Sequence, residues 1–90
     1  MHALGYEIEV ELEPLMLFVI NDDRPGMIGR VGSALGEAGI NIATMAVSRN
    51  RRGGRALMAL TIDSALPADL VARLRSEPGF VEVRPISLEG

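Results

Sequence analysis

Leu15-Met16-Leu17-Phe18-Val19-Ile20 runs directly into Asn21-Asp22-Asp23-Arg24-Pro25-Gly26-Met27-Ile28-Gly29, and one helix length later comes Gly39-Ile40-Asn41-Ile42. The first segment is continuously apolar and reads as a strand buried on both faces. From Met27 to Ala38 the spacing becomes helical, with Ile28, Val31, Leu35 and Ala38 on one side. Pro25 fits the first helical turn, and Gly39 fits the position just past the helix end. A strand, a loop, a helix and the start of a second strand therefore follow one another without a linker.

The pattern continues toward the C-terminus. Ile40 to Arg49 reads as a strand, and Asn50-Arg51-Arg52-Gly53-Gly54 as a hairpin turn, because paired glycines accept positive φ. In the returning strand, Arg55 to Asp63, the residues Ala56, Met58, Leu60 and Ile62 share a face. Pro67 marks a second helix start, with Leu70, Val71 and Leu74 on its core side. Pro78-Gly79 ends that helix. Phe80 to Leu88 is a last strand with Val81 and Val83 directed inward, and Pro85, which has no N–H, places it at a sheet edge. The order βαββαβ predicts a ferredoxin-like α+β fold: a four-stranded antiparallel sheet with two helices on one face. The second strand then lies at the other edge.

Toward the N-terminus, Tyr6 to Glu13 alternates strictly. Tyr6, Ile8, Val10 and Leu12 fall on one face, and Glu7, Glu9, Glu11 and Glu13 on the other. This predicts an extra N-terminal strand added to the sheet. Residues 1–14 are thus a strand or linker segment, and residues 15–90 the domain proper.

At 90 residues the chain is one domain with one small core,. Apolar residues make up 48% of it and aromatics 3%, so that core is aliphatic. A site belongs on the surface or between subunits. With no Cys, disulfide scaffolds, thiolate metal sites and cysteine nucleophiles are excluded,. A cytoplasmic setting fits that composition, and no apolar run reaches the length of a membrane span. A net charge of −3 disfavours non-specific nucleic-acid binding,. The single His, His2, beside the terminus, supports neither a catalytic triad nor a metal cage. No cofactor is expected. Gly26, Gly29 and Gly32 are spaced GxxGxxG, which is not the dinucleotide fingerprint, and no Lys serves a phosphate loop.

The chemistry concentrates at the loop. Free N–H groups at the mouth of a helix, with Pro25 and Gly26 leaving them uncovered, suit a small anion such as a carboxylate. Asp22 and Asp23 beside them suit an ammonium. Asp23 has two readings, a helix cap and a ligand acceptor. Asn41 likewise reads as a solvated strand-start residue or as a partner for a zwitterion. Gly29, Gly32 and Gly36 share a helical stripe, each costing about 1 kcal/mol against Ala. Close helix packing explains Gly32 and Gly36; for Gly29, packing and clearance for a ligand stand level. Arg49, Arg51, Arg52 and Arg55 crowd the hairpin and read first as a solvated tip, or as partners of the Glu row.

Asp22-Asp23-Arg24-Pro25-Gly26-Met27-Ile28-Gly29 and Gly39-Ile40-Asn41-Ile42-Ala43, with Gly54-Arg55-Ala56-Leu57-Met58 and Pro78-Gly79-Phe80-Val81, resemble the ACT domain. More narrowly they are similar to the C-terminal regulatory domain of D-3-phosphoglycerate dehydrogenases, over roughly Leu15 to Leu88. The resemblance implies βαββαβ topology, side-by-side pairing of domains, and an amino-acid effector at the pair interface, L-serine in the dehydrogenase branch. It places ligand contacts at Asn21, Asp23 and Asn41. Around them, Arg24, Pro25, Gly26, Met27, Ile28, Gly29 and Ile42 complete the expected site. Serine-inhibited members carry His at the position of Asn21 and Asn at that of Asp23, and only Asn41 is unchanged. The expectation is a non-catalytic regulatory domain that binds a small amino acid and forms a homodimer by edge-strand pairing. A structural dimerisation module without a ligand is the alternative. Acylphosphatases share the topology, but the loop lacks their glycine-rich phosphate cradle.

Overall fold

The computed structural model describes residues 2–3, 6–7, 14–23, 25–50 and 54–87. After two short strands, β1 (His2–Ala3) and β2 (Tyr6–Glu7), the order is β3 (Leu15–Asp22), α1 (Met27–Glu37), β4 (Ile42–Asn50), β5 (Arg55–Ile62), α2 (Ala68–Ser76) and β6 (Phe80–Ser87). β3 to β6 form one sheet in the order β4-β5-β3-β6, antiparallel throughout. This is the expected ferredoxin-like arrangement. The apolar strand β3 is central, β4 is one edge, and β6 with Pro85 is the other. Tyr6–Glu7 does not extend this sheet. It pairs with His2–Ala3 in a separate two-stranded ladder, while residues 8–13, with most of the Glu row, lie outside the described residues.

Both faces of the sheet are buried. On the helix side, Leu17, Val19, Met58, Leu60 and Val83 pack against Val31 and Leu35 of α1 and Leu70, Val71 and Leu74 of α2. On the opposite side, Met16, Phe18, Ile20, Leu57 and Ala59 form a second apolar cluster. A strand with both faces covered needs apolar residues at every position, which is why β3 is a continuous run and does not alternate. Arg75 ties α2 to β6 by donating from Nε and Nη2 to the Val83 carbonyl, at 3.2 and 2.8 Å.

The structure corrects three local expectations. Val81 is exposed, and only Val83 points inward. A bulge between Ile20 and Asn21 pairs Ile20 with Glu82 and Asn21 with Phe80. Val81 is thereby the extra residue, turned away from the core. In α1 the buried stripe is Met27, Val31, Ala34 and Leu35, not Ile28, Val31, Leu35 and Ala38. The helix begins at Met27, as its spacing predicts, after Gly26 in a left-handed conformation (φ 89°), so Pro25 stands before the first turn and not in it. Ile28 therefore rides on the flank of the stripe. Finally, a Cβ added at Gly29, Gly32 or Gly36 would meet nothing within 4 Å. Close packing does not explain that stripe.

Candidate functional site

Asn21 lies in a row that crosses the helix-side face: Phe80, Asn21, Ala56, Arg49. At this end of the sheet β3 finishes and the chain turns into α1. Two backbone bonds pin the turn, from Asp22 N–H to the Gly79 carbonyl at 2.8 Å and from Asp23 N–H to the Gly54 carbonyl at 2.7 Å. A cleft of about 410 Å³ opens between the turn, α1 and the β4 edge. Asn21, Asp23, Pro25, Gly26, Met27 and Ile28 line one side of it.

Asn21 is the unusual residue in this cleft. It is 3% exposed and the only buried polar or charged side chain among the described residues. Its Nδ2 donates to the Asp22 carbonyl at 2.7 Å, which sets the amide's orientation. Its Oδ1 is buried and has no hydrogen-bond partner. An unpaired buried acceptor costs on the order of 1–3 kcal/mol, so such atoms are rare in folded proteins. Beside it, Asp23 forms an ion pair with Arg49 Nε at 3.3 Å. The N-terminus of α1 carries no side-chain cap and no acid in its first turn. Asp22 and Asp23 therefore do not act as caps, and the first-turn N–H groups remain available to an anion.

The cleft thus offers a buried acceptor and a carboxylate next to a guanidinium and a helix mouth. A group carrying both an ammonium and a carboxylate matches both halves. Val47, Arg49, Ala56 and Met58 also line it; the sequence reading places Arg49 at the hairpin and Ala56 and Met58 on a strand face, and none of the four in the site. Alternation in β4 put Val47 and Arg49 on one face, but only the register with β5 shows which face and which end. Arg49 pairs with Asp23 and is not free at the hairpin tip. Arg24, Arg51 and Arg52 lie outside the described residues.

Asn41 and Ile42 do not join this cleft within one chain. They stand at the opposite end of β4, about 25 Å along the strand from Arg49, where Ile42 pairs with Ile62. Asn41 donates its backbone N–H and its Nδ2 to Asp63 Oδ1 and Oδ2, at 3.0 and 3.1 Å. The Ser64 hydroxyl adds a bond to Oδ1 at 3.2 Å. The Asn41 backbone N–H, against an opposing effect of burial and helped by the Asn41 side chain and Ser64, holds the Asp63 carboxyl below the usual carboxylate range.

The model of the ACT domain family matches residues 15–79. The chain belongs to the ACT domain family. This ACT domain is 38% identical over 84 residues to a D-3-phosphoglycerate dehydrogenase of Methanocaldococcus jannaschii, and 39% identical over 84 residues to one of Bacillus subtilis. Each match covers 93% of this chain and 16% of the relative, so the chain spans a small part of the length of those enzymes. Its fold is similar to the ACT domain of a GTP pyrophosphokinase from Chlorobium tepidum, with a TM-score of 0.59 at 21% identity over 80% of this chain and 95% of that one. It is also similar to the C-terminal domain of the MgtC protein from Mycobacterium tuberculosis, with a TM-score of 0.64 at 18% identity, covering 87% and 93% of the two chains. No helix among the described residues is long and apolar enough to cross a membrane.

Proposed function

We propose that this ACT domain is a non-catalytic regulatory module that binds a small free α-amino acid and works as a homodimer, in the setting of D-3-phosphoglycerate dehydrogenation and serine biosynthesis. One observation carries the reading: Asn21, whose Oδ1 is buried and unpartnered, lines a cleft that also holds the Asp23–Arg49 pair and the uncapped mouth of α1. The ligand ammonium donates to Asn21 Oδ1 and Asp23. Its carboxylate takes the N–H groups near Met27 and Ile28, with Arg49 as a second donor.

The position of β4 at the edge of the sheet, with no strand hydrogen-bonded to its outer side among the described residues, supports pairing. This strand has no Lys or Pro to block addition of a strand, and a two-fold axis lets the same strand meet itself. An axis through the middle of β4 sets Asn41 of the second copy at the end of β4 that carries the cleft. The two separated parts of the expected site then meet across the dimer. In that arrangement Asp63 already takes one N–H of the Asn41 amide, and the amide oxygen is a further acceptor for the ammonium.

Sedimentation at micromolar concentration is expected to give a dimer. Calorimetry and melting are to be run with L-serine first and then with other small amino acids. A ligand at about 100 times its Kd adds roughly 2.7 kcal/mol of stability. Arg49→Gln should weaken binding with little change in the unliganded melt, since an exposed ion pair contributes about 0–1 kcal/mol. If no free amino acid binds at millimolar concentration, the dimerisation module without a ligand takes the place of this reading.

A further inference from the structure

We infer that the side-chain half of the cleft takes an aliphatic amino acid of valine or leucine size in preference to serine; this rests on the proposed amino-acid site. Three large apolar side chains stand exposed among the described residues: Ile28, Val47 and Val81. Val81 is turned out by the β6 bulge. The other two, 47% and 40% exposed, face the same cleft from opposite walls, one on α1 and one on β4. Met58 and Ala56 lie between them on β5, buried against the sheet.

The polar groups of the cleft are segregated from this apolar part. Among the described residues of one chain, Asn21, Asp23 and Arg49 are the lining residues with polar side chains. Two of them, Asp23 and Arg49, are already paired. A zwitterion's ammonium and carboxylate engage all three, together with the first-turn N–H groups. A ligand hydroxyl directed at Ile28, Val47 and Met58 would then meet apolar side chains, whereas a branched hydrocarbon would cover them. Recognition through a hydroxyl needs a placed polar group. Removing Ile28 and Val47 from water also gives this site a driving force that a polar ligand lacks.

The test is a calorimetric series with glycine, L-alanine, L-serine, L-valine and L-leucine on the whole chain, repeated with Val47→Ser and Ile28→Thr. Both residues are exposed, so neither change threatens folding. One methylene in an apolar pocket discriminates by about 10–200-fold, and an open cleft belongs at the low end. Valine or leucine should bind about tenfold or more tightly than serine. Each variant should lose most of that ratio, with valine and leucine affinity falling toward that of serine, while the sedimenting mass stays unchanged. Serine binding as tightly as valine would overturn the inference but leave the amino-acid site standing. Variants that dissolve the dimer without altering ligand preference would also overturn it, because Ile28 and Val47 would then be covered by the second copy. Absence of binding by every amino acid would remove the site itself, and the inference with it.

Discussion

Asn41, at the end of the sheet where β4 begins, gives its backbone N–H and its Nδ2 to the two oxygens of Asp63. Asn21, at the end where β3 finishes, keeps one amide atom buried and unpaired. The first arrangement is closed: the Asp63 N–H also returns a bond to the Asn41 carbonyl at 3.2 Å, and the strand ends are stapled together. The second is open. It carries a desolvated acceptor, a helix N-terminus without a cap and two exposed apolar side chains, all around one cleft. Groups whose bonding is complete hold a fold together. Groups left incomplete cost stability, and they persist where something else completes them.

The contrast breaks most clearly at Asn21. Asn21→Leu removes the unpaired acceptor and the bond to the Asp22 carbonyl, and fills the space with hydrocarbon. Relief of an unpaired buried group is worth about 1–3 kcal/mol against about 1 kcal/mol for the lost bond. The variant should unfold at an equal or higher denaturant concentration, by about 1 kcal/mol, and should bind no amino acid. A clear loss of stability would mean that the Asn21 amide is satisfied after all, and the two ends of the sheet would no longer differ.

A smaller effect is expected on the helix that faces the open end. Gly32 sits inside α1 with nothing within 4 Å of an added Cβ. Gly32→Ala should therefore stabilise the domain by about 0.5–1 kcal/mol in denaturant titration. A loss instead would show that an unseen surface, such as the second copy, packs on that stripe.

The closed end should give the smallest and most pH-dependent response. The Asp63 carboxyl titrates below its unfolded value. Its contribution is therefore fully present above the unfolded pKa of an ordinary aspartate and is lost as pH falls through the lower, folded value. Asp63→Asn should lower the melting temperature slightly at neutral pH and flatten this part of the acid-side decline. Because Asp63 is exposed at a strand end, amino-acid affinity should change only if Asn41 of the second copy reaches the cleft. That measurement sharpens the comparison by showing whether the closed end takes part in binding.

Much of the architecture was legible from pattern alone. The continuous apolar run of β3, the alternation of Ala56, Met58, Leu60 and Ile62, and Pro85 in an edge strand each follow from one residue's local geometry repeated at period two. The βαββαβ order left few ways to join them. Ile28 and Val81 were read inward because periodicity says which residues share a face. It does not say where a helix starts relative to that face, or where a bulge inserts a residue. Both are settled by a single backbone feature, the left-handed Gly26 in one case and the Ile20/Asn21 register shift in the other.

The candidate site divides along the same line. That Asn21, Asp23 and residues Pro25 to Ile28 stand together follows from the sequence, because the eight consecutive residues 21 to 28 in a strand–helix turn cannot be far apart. That Arg49, Val47, Ala56 and Met58 complete the cleft, and that Asn41 sits at the far end of the same chain, was decided only by the tertiary structure. Those placements depend on the register of β4 on β5 and of β5 on β3. The hairpin turn helps to set the register of β4 on β5, but that of β5 on β3 is a long-range property: it comes from how whole strands bury their apolar faces against one another.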